Sequence, residues 1–465
     1  MSKTLELVRR FRHAIGQLQP GDRLPSLRRV CRDYAVSMTT AQKAYAELER
    51  HGLIRAMPKS GFVVRRPLAA RAGGAELSPD MLAGMLLPDV SMPWGCPYIN
   101  PALIDTSRMT RSMAQGLQNY QTALHDTPPD GYLPLRKELM LHYLGHGVAL
   151  DSEELMITCG AMEALTLALR AVVAASVSRT VLVATPAFPA LLEQIRALGL
   201  HAIAWDLPPR QVPDTDELDR LLTQAQPAAL VLMTNHRHPT GCTLTEAVKR
   251  RIVGIAARHR TFIIEDDSYR DLHFGAQTPP PLKAFDGDGL VLHCSTFSKS
   301  LAPGLRVGWI AAGRLTAMVR GLKLCSSPGT SLPGQMALAR LLETGHHHEI
   351  LLGLRQHLRT RCRAMAGLLR QHFPPDCSLT MPSGGYFLWL RLPERIECAS
   401  RLPLAIEHGL HFSPGSMCYP LSSAAGEHAL RLNFSFFDQE KHPLGIQLLG
   451  NLFFHGNMAV EGAPA

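Results

Sequence analysis

No two of the ten cysteines are spaced as CxxC. That excludes a zinc ribbon and argues for reduced thiols over a disulfide frame. No apolar run approaches the about 18 residues that a membrane span needs. The opening stretch, MSKTLELVRRFRHAIGQ, has no apolar core of the kind that marks a secretory signal. Internal repeats are also lacking beyond the first 80 residues. The chain is therefore expected to be cytoplasmic, with no membrane partner and no metal. What it has in quantity is core-forming residue: 46% of its 465 residues are hydrophobic, which suits an ordinary globular protein of two or more domains.

The net charge of +9 is unevenly placed. Residues 1–66 hold 14 Lys and Arg against five Asp and Glu; the remaining 399 residues hold 34 of each. All the excess positive charge lies in the first seventh of the chain. A small basic module on a neutral body suits a polyanion partner, most often nucleic acid; the plainer alternative is a solvated basic face.

That module reads as three helices and a hairpin. TLELVRRFRHAIGQ spaces Leu5, Val8, Phe11 and Ile15 at a helical period. Pro20 and Gly21 break it, and LPSLRRVCRDYA predicts a second helix with Pro25 in its first turn. Ser37 is placed to cap a third helix that ends at Gly52. LIRAMPKSGFVVRR predicts two short strands around Pro58–Gly61. This is the pattern of a winged helix-turn-helix. Such a module sets the first turn of its third helix in the major groove. The candidate contacts there are Ser37, Thr39, Thr40, Gln42 and Lys43, with Arg28 on the second helix and Lys59 and Gly61 at the wing. Helix capping is the competing role for the hydroxyls. The segments GQLQPGDRLPSLRRV, VSMTTAQKAYAELERHGLI and PKSGFVV resemble the GntR-type regulators over about 65 residues. Met38 stands where many relatives carry an arginine, so base reading would rest on Thr39, Thr40 and Gln42.

PLAARAGGAELSPD, at the start of a 67–84 linker, is rich in Ala, Gly and Pro and reads as a tether. From residue 85 to 465 helical segments alternate with short apolar runs: ELMITCG, RTVLVATP, AALVLMTN, TFIIEDD and GLVLHCST. The alternation predicts an α/β domain with a mostly parallel sheet, whose ligands sit at the carboxyl ends of strands. The polar residues that end these runs are therefore the ones to inspect. Gly160, Ala161 and Met162 open a helix; Phe188 follows the second run; Asn235 and His238 follow the third; Asp266 and Tyr269 follow the fourth; Thr296, Ser298 and Lys299 follow the fifth, with Arg306 beyond. Arg431 lies in the otherwise apolar ALRLNFS. Singly, each has a plain reading: a core Phe, a capping Asp, a surface Lys. Jointly they supply an anion cradle, a stacking ring, a carboxylate and an amine nucleophile.

Their order resembles fold-type I pyridoxal-phosphate enzymes, specifically class I/II aminotransferases, through GYLPLRKELMLHYLGHGV, TCGAMEAL, HPTG, IIEDDSY, STFSKSLAPGLRVGW, PSGGYFLWLRLP and ALRLNFS. The resemblance implies a large domain and a small C-terminal α+β subdomain. It implies that Lys299 forms an aldimine with pyridoxal 5′-phosphate and Asp266 pairs with the pyridine nitrogen. It assigns Tyr269 to the phenolic oxygen and Phe188 to ring stacking. Ala161, Met162, Thr296, Ser298 and Arg306 would hold the phosphate, and Arg431 a substrate carboxylate, with Tyr120 as a further substrate candidate. Where relatives read Asn-Pro-Thr/Leu-Gly, this chain has His238; a neutral or a protonated imidazole could replace the amide donor, or Asn235 could compensate. The triplet His346–His348 reads as a solvated helix face. A GntR-type module joined to such a domain resembles the MocR subgroup of bacterial regulators. That implies a homodimeric, pyridoxal-phosphate-dependent transcription factor that binds double-stranded operator DNA and senses an amine, an amino acid or the cofactor itself. A competent aminotransferase that also binds DNA remains open, as does a large domain that only dimerises; intact Lys299, Asp266 and Arg306 argue against the last.

Overall fold

The computed structural model describes residues 7, 10–11, 22–50, 54–57, 61–64, 90–118, 128–209, 211–301, 303–420 and 425–454. Residues 67–84, expected above to be a linker, and the candidate contacts Lys59 and Tyr120 lie outside them. The chain divides into two compact units, Met1–Glu76 and Leu77–Ala465.

In the first unit, helices α1 (Leu27–Asp33) and α2 (Met38–Arg50) precede a hairpin of β1 (Ile54–Met57) and β2 (Gly61–Val64). Of the first predicted helix, Leu7, Arg10 and Phe11 are described and helical. The second begins later than its sequence suggests. Ser26 is its cap, accepting from the Arg29 amide, which leaves Pro25 outside the helix. The Pro25 carbonyl accepts instead from the Tyr45 hydroxyl at 2.8 Å. Tyr45 organises this small core: its ring meets Phe11 and Phe62 edge-on, at 5.3 and 4.9 Å. Ala41, Ala44 and Leu48 bury the same face of α2. Ile54 pairs with Val64 across the hairpin, and the Leu24 amide donates to Phe62, adding a third short edge.

The second unit is built on a seven-stranded sheet. Its strands are β3 (Leu155–Thr158), β4 (Thr180–Thr185), β5 (His201–Asp206), β6 (Ala229–Leu232), β7 (Phe262–Asp266), β8 (Val291–Thr296) and β9 (Gly308–Ala311). They lie in the order β3-β9-β8-β7-β6-β4-β5. Only β9 runs against the rest. The five predicted runs are β3, β4, β6, β7 and β8, all with buried faces. Helices cover both sides, which is why these strands are apolar throughout instead of alternating. One face packs on α3 (Gly160–Ala174), and the other on α4 (Glu246–His259).

A smaller antiparallel sheet follows. It is formed by β10 (Ser378–Thr380), β11 (Phe387–Arg391), β12 (Ser413–Pro414) and β13 (Ala429–Asn433), in the order β10-β11-β13-β12. It packs with the 27-residue helix α5 (His346–His372) and with α6 (Pro443–Phe454). The architecture is thus a mostly parallel α/β layer with a small α+β subdomain.

Candidate active site

Strands β3, β4, β6, β7 and β8 all deliver their carboxyl ends to one region. A cavity of about 520 Å³ opens there. Ala161, Met162, Phe188, Asp266, Tyr269, Thr296, Ser298, Lys299, Arg306 and Arg431 all line it.

One end is an anion cradle. Gly160 starts α3 with φ +75°, and the first amides of that helix have no acceptor within it. A Cβ on Gly160 would lie 2.7 Å from Arg306 Nη2. The guanidinium packs against the bare backbone, donating to the Cys159 carbonyl at 3.2 Å and towards Ser298 Oγ at 3.5 Å. Arg306 itself sits at φ +52°. Thr296 Oγ1 bonds Ser298 Oγ at 3.0 Å and accepts from the Ser298 amide, so the two hydroxyls are fixed side by side. No carboxylate pairs with Arg306 among the described residues. The cradle carries positive charge without a counterion.

Lys299 stands at the middle. Its Nζ donates to the Pro97 carbonyl at 3.4 Å and lies 5.6 to 5.8 Å from the rings of Tyr98, Phe188 and Tyr269. Burial strips water from the ammonium and pulls its pKa down to about 8, against an opposing pull from Asp266. Asp266 is held by Ser268, whose amide donates to Oδ1 at 3.1 Å and whose hydroxyl donates to the same oxygen. Burial raises the Asp266 pKa, so the carboxylate is poised to gain from a buried cation. The Tyr386 hydroxyl donates to the Pro97 carbonyl at 3.1 Å, and its ring lies 5.3 Å from that of Tyr269.

The far wall is Arg431 on β13. Its Nη2 donates to the Gly95 carbonyl and its Nη1 to His238 Nε2. Its Nε is buried without a partner. Because arginine only donates, His238 Nε2 must accept, and the ring proton belongs on Nδ1. That Nδ1 is also buried without a partner. Burial, reinforced by Arg431 and Lys299, holds the His238 pKa well below its ordinary value. The imidazole is neutral, which removes the protonated form that the sequence left open.

Residues 103–442 match the family of class I and II aminotransferases. The chain belongs to this family. Residues 4–64 match the gntR family of bacterial regulatory proteins, so the protein fuses a GntR DNA-binding domain to an aminotransferase-like domain. It is 34% identical to an uncharacterized HTH-type transcriptional regulator of Escherichia coli K12, YdcR, over 97% of this chain and 99% of that one. A second E. coli K12 regulator of the same description, YjiR, is 28% identical over 94% of this chain and 96% of its own. LysN of Thermus thermophilus, an α-aminoadipate aminotransferase solved with N-(5′-phosphopyridoxyl)-L-leucine, matches with a TM-score of 0.69 at 27% identity, covering 82% of this chain and 95% of LysN. The arrangement is that of the MocR-type regulators.

Pyridoxal 5′-phosphate is the cofactor of the aminotransferase family, and the residues here fit it. The cradle that a Cβ at Gly160 would fill suits a phosphate, the buried Asp266 suits a protonated ring nitrogen, and the low-pKa amine of Lys299 suits an aldehyde.

Asn235 and His238 do not line the cavity. Asn235 is spent on a separate buried network: its Nδ2 donates to Asp267 Oδ1 at 2.8 Å, and its Oδ1 accepts from Lys249. It is therefore not free to stand in for the amide missing at 238. His238 sits behind the wall, its ring edge-on to Phe188 at 5.2 Å and to Phe387 at 4.7 Å. Sequence reasoning passed over Tyr98, Ser268 and Tyr386. Ser268 and Tyr386 lay inside quoted motifs, IIEDDSY and PSGGYFLWLRLP; Tyr98 sits in a stretch with no periodic signal.

In the first unit, Ser37 Oγ accepts from the Thr40 amide at 3.2 Å and bonds its hydroxyl at 2.9 Å. Both hydroxyls are thus engaged in the cap. Arg28, Thr39, Gln42 and Lys43 are exposed, as is Met38, and Gly61 opens β2 with φ +85°. No described helix is long and apolar enough to cross a membrane.

Proposed function

We propose that the protein is a homodimeric, cytoplasmic transcription regulator in which residues 1–66 bind a double-stranded operator and residues 85–465 sense a small amine or amino acid through Lys299. Residues 67–84 serve as the tether. The observation that carries this reading is the pairing of an intact, half-buried lysine in a lined cavity with a small unit that holds all the chain's excess positive charge. When bound, pyridoxal phosphate supplies an aldehyde that condenses with amines and a ring that accepts electrons.

The chain's own residues set what that site admits. Ala161, Met162, Thr296, Ser298 and Arg306 would anchor the phosphate, with Gly160 allowing the approach. Asp266 would keep the ring nitrogen protonated, Tyr269 would donate to the phenolic oxygen, and Phe188 would support the ring face. Arg431 grips a ligand carboxylate, aided by Tyr120. Lys299 would hold the aldehyde and, when free, would hold or move a proton at Nζ. The change reaches the DNA as an altered presentation of two basic units to paired half-sites. In that unit Arg28 and Lys59 hold phosphates, while Thr39, Thr40, Gln42 and Lys43 read the groove, framed by Ser37 and Gly61.

The deciding experiment measures operator affinity of the holoprotein and of Lys299→Ala, each with and without a panel of amines, alongside the visible absorbance of the bound cofactor. An amine that changes both absorbance and DNA affinity in the parent, and neither in Lys299→Ala, is the expected result. Absorbance changes with no change in DNA affinity for any amine would sink the sensing role. A second reading, a working aminotransferase that also binds DNA, is favoured by the intact Arg431 clamp. Repeated turnover of an amino donor with a keto acid would establish it.

A further inference from the structure

We propose that the cleft between α5 and residues 273–278 is a second ligand site, which takes a small oxyanion carrying more than one negative charge. The cleft has a volume of about 990 Å³ and shares no lining residue with the Lys299 cavity. Its floor is one face of α5. Arg355, Arg359 and Arg363 recur at four-residue steps there, about 6 Å apart along the axis.

None of these three arginines pairs with a carboxylate among the described residues. Arg355 Nε donates to the Asp271 carbonyl at 2.6 Å, and Arg359 to the Phe274 carbonyl. The carboxylate at hand, on Asp271, is already shared: Arg270 lies 3.5 Å from it and His142 3.3 Å. No acidic side chain lines the cleft. Three guanidinium groups on one face without a counterion repel one another, and an anion relieves that repulsion.

Imidazoles add further polar groups. The rings of His142 and His146 lie 4.9 Å apart, and those of His142 and His347 5.6 Å apart. His347 is 3% exposed, lines the cleft, and has its Nε2 buried without a partner. The histidines do not form a metal site, since no three His, Cys, Asp or Glu among the described residues are placed to hold an ion. Guanidinium forks match phosphate and carboxylate oxygens bidentately, which fixes the ligand class.

The test uses full-length protein saturated with pyridoxal phosphate, so that the cradle at Arg306 is already filled. Pyrophosphate and citrate are titrated separately by calorimetry at low salt, into the parent and into the Arg359→Gln/Arg363→Gln double variant. Both arginines are exposed, so the variant keeps its melting transition and its cofactor absorbance. The expected result is binding to the parent that weakens at least about tenfold in the double variant. Arg250→Gln, which alters an exposed arginine over the Phe285 ring, should bind as the parent does. Binding of pyrophosphate alone identifies a phosphorylated ligand, and of citrate alone a polycarboxylate; either supports the site. No binding of either, or equal affinity in the double variant, overturns it.

Discussion

The depressed pKa of Lys299 has a measurable consequence in the apoprotein. At pH 7.5 a lysine with a pKa of about 8 is roughly one-quarter neutral, whereas one at the ordinary value of about 10.5 is neutral about once in a thousand, a difference of roughly two hundredfold in nucleophile. Burial is the largest cause, and the charges around the amine act in known directions: Asp266 raises the value, and Arg431 and Arg306 lower it. Trace acylation of the apoprotein across pH, with the Lys299 peptide quantified by mass spectrometry, reads the midpoint directly. Peptides carrying exposed lysines such as Lys43 provide the reference. The parent should give a midpoint near 8. Asp266→Asn removes an anion and should move it lower; Arg431→Gln removes a cation and should move it higher. A parent midpoint near the ordinary lysine value, or movement of both variants in the same direction, would refute this account of the site.

Other perturbations separate local causes. A Cβ at Gly308 would lie 2.6 Å from the Gly160 backbone and 2.7 Å from the Ser295 carbonyl, so Gly308→Ala should cost about 1–3 kcal/mol in urea denaturation. Gly160→Ala meets the end of the Arg306 side chain and also puts a Cβ on a backbone at φ +75°, so it should weaken cofactor binding in an equilibrium titration and cost about 1–2 kcal/mol of stability. His236 and His347 are buried neutral, each with its pKa pushed down by burial to about 3. Between that value and the unfolded value of about 6.5 the unfolded chain binds the extra protons, so stability is lost as pH falls through this window, by about 2 kcal/mol per histidine at pH 5. Melting temperature against pH should show it, and His347→Phe should flatten the curve. In the first unit, Tyr45→Ala should cost about 3–5 kcal/mol, read as loss of the helical signal of that unit and of operator binding, with the cofactor absorbance retained.

The centre of the large sheet was legible in the sequence because strands covered on both faces are continuous apolar runs. By contrast β5, HAIAWD, stayed hidden, because this edge strand is exposed or half-buried at all but one position and shows no such run, whereas β3 at the other edge is buried throughout. So did β9, GWIA, which directly follows the Gly- and Pro-containing stretch around Arg306. The cavity residues were legible as strand ends, but alternation along a strand decides which side a residue serves. Asp266 faces the cavity, whereas its neighbours Glu265 and Asp267 face a different network, where Glu265 accepts from Thr234 and meets His293. Asn235 belongs to that second network for the same reason. Of the three consecutive histidines on α5, His348 is exposed as a solvated face requires, but His347 turns inward against Phe297 at 5.7 Å. Which member of such a run is buried depends on what the helix packs against, and that information lies elsewhere in the chain.

His238 shows how a single departure from a family motif can reach beyond its own position. An asparagine at this place carries donor and acceptor on one rotatable amide. An imidazole carries them on opposite sides of a fixed ring, so filling one nitrogen determines the other. Here Arg431 fills Nε2, and the proton is committed to Nδ1. Each Nη of Arg431 carries two N–H bonds, and only one on each is spent, on His238 and on the Gly95 carbonyl. With the unpartnered Nε, the guanidinium keeps donors for a ligand carboxylate. His238 and Gly95 thus hold the arginine in place without exhausting it. The departure from the family motif bears on how the clamp is oriented, and leaves its capacity for a carboxylate intact.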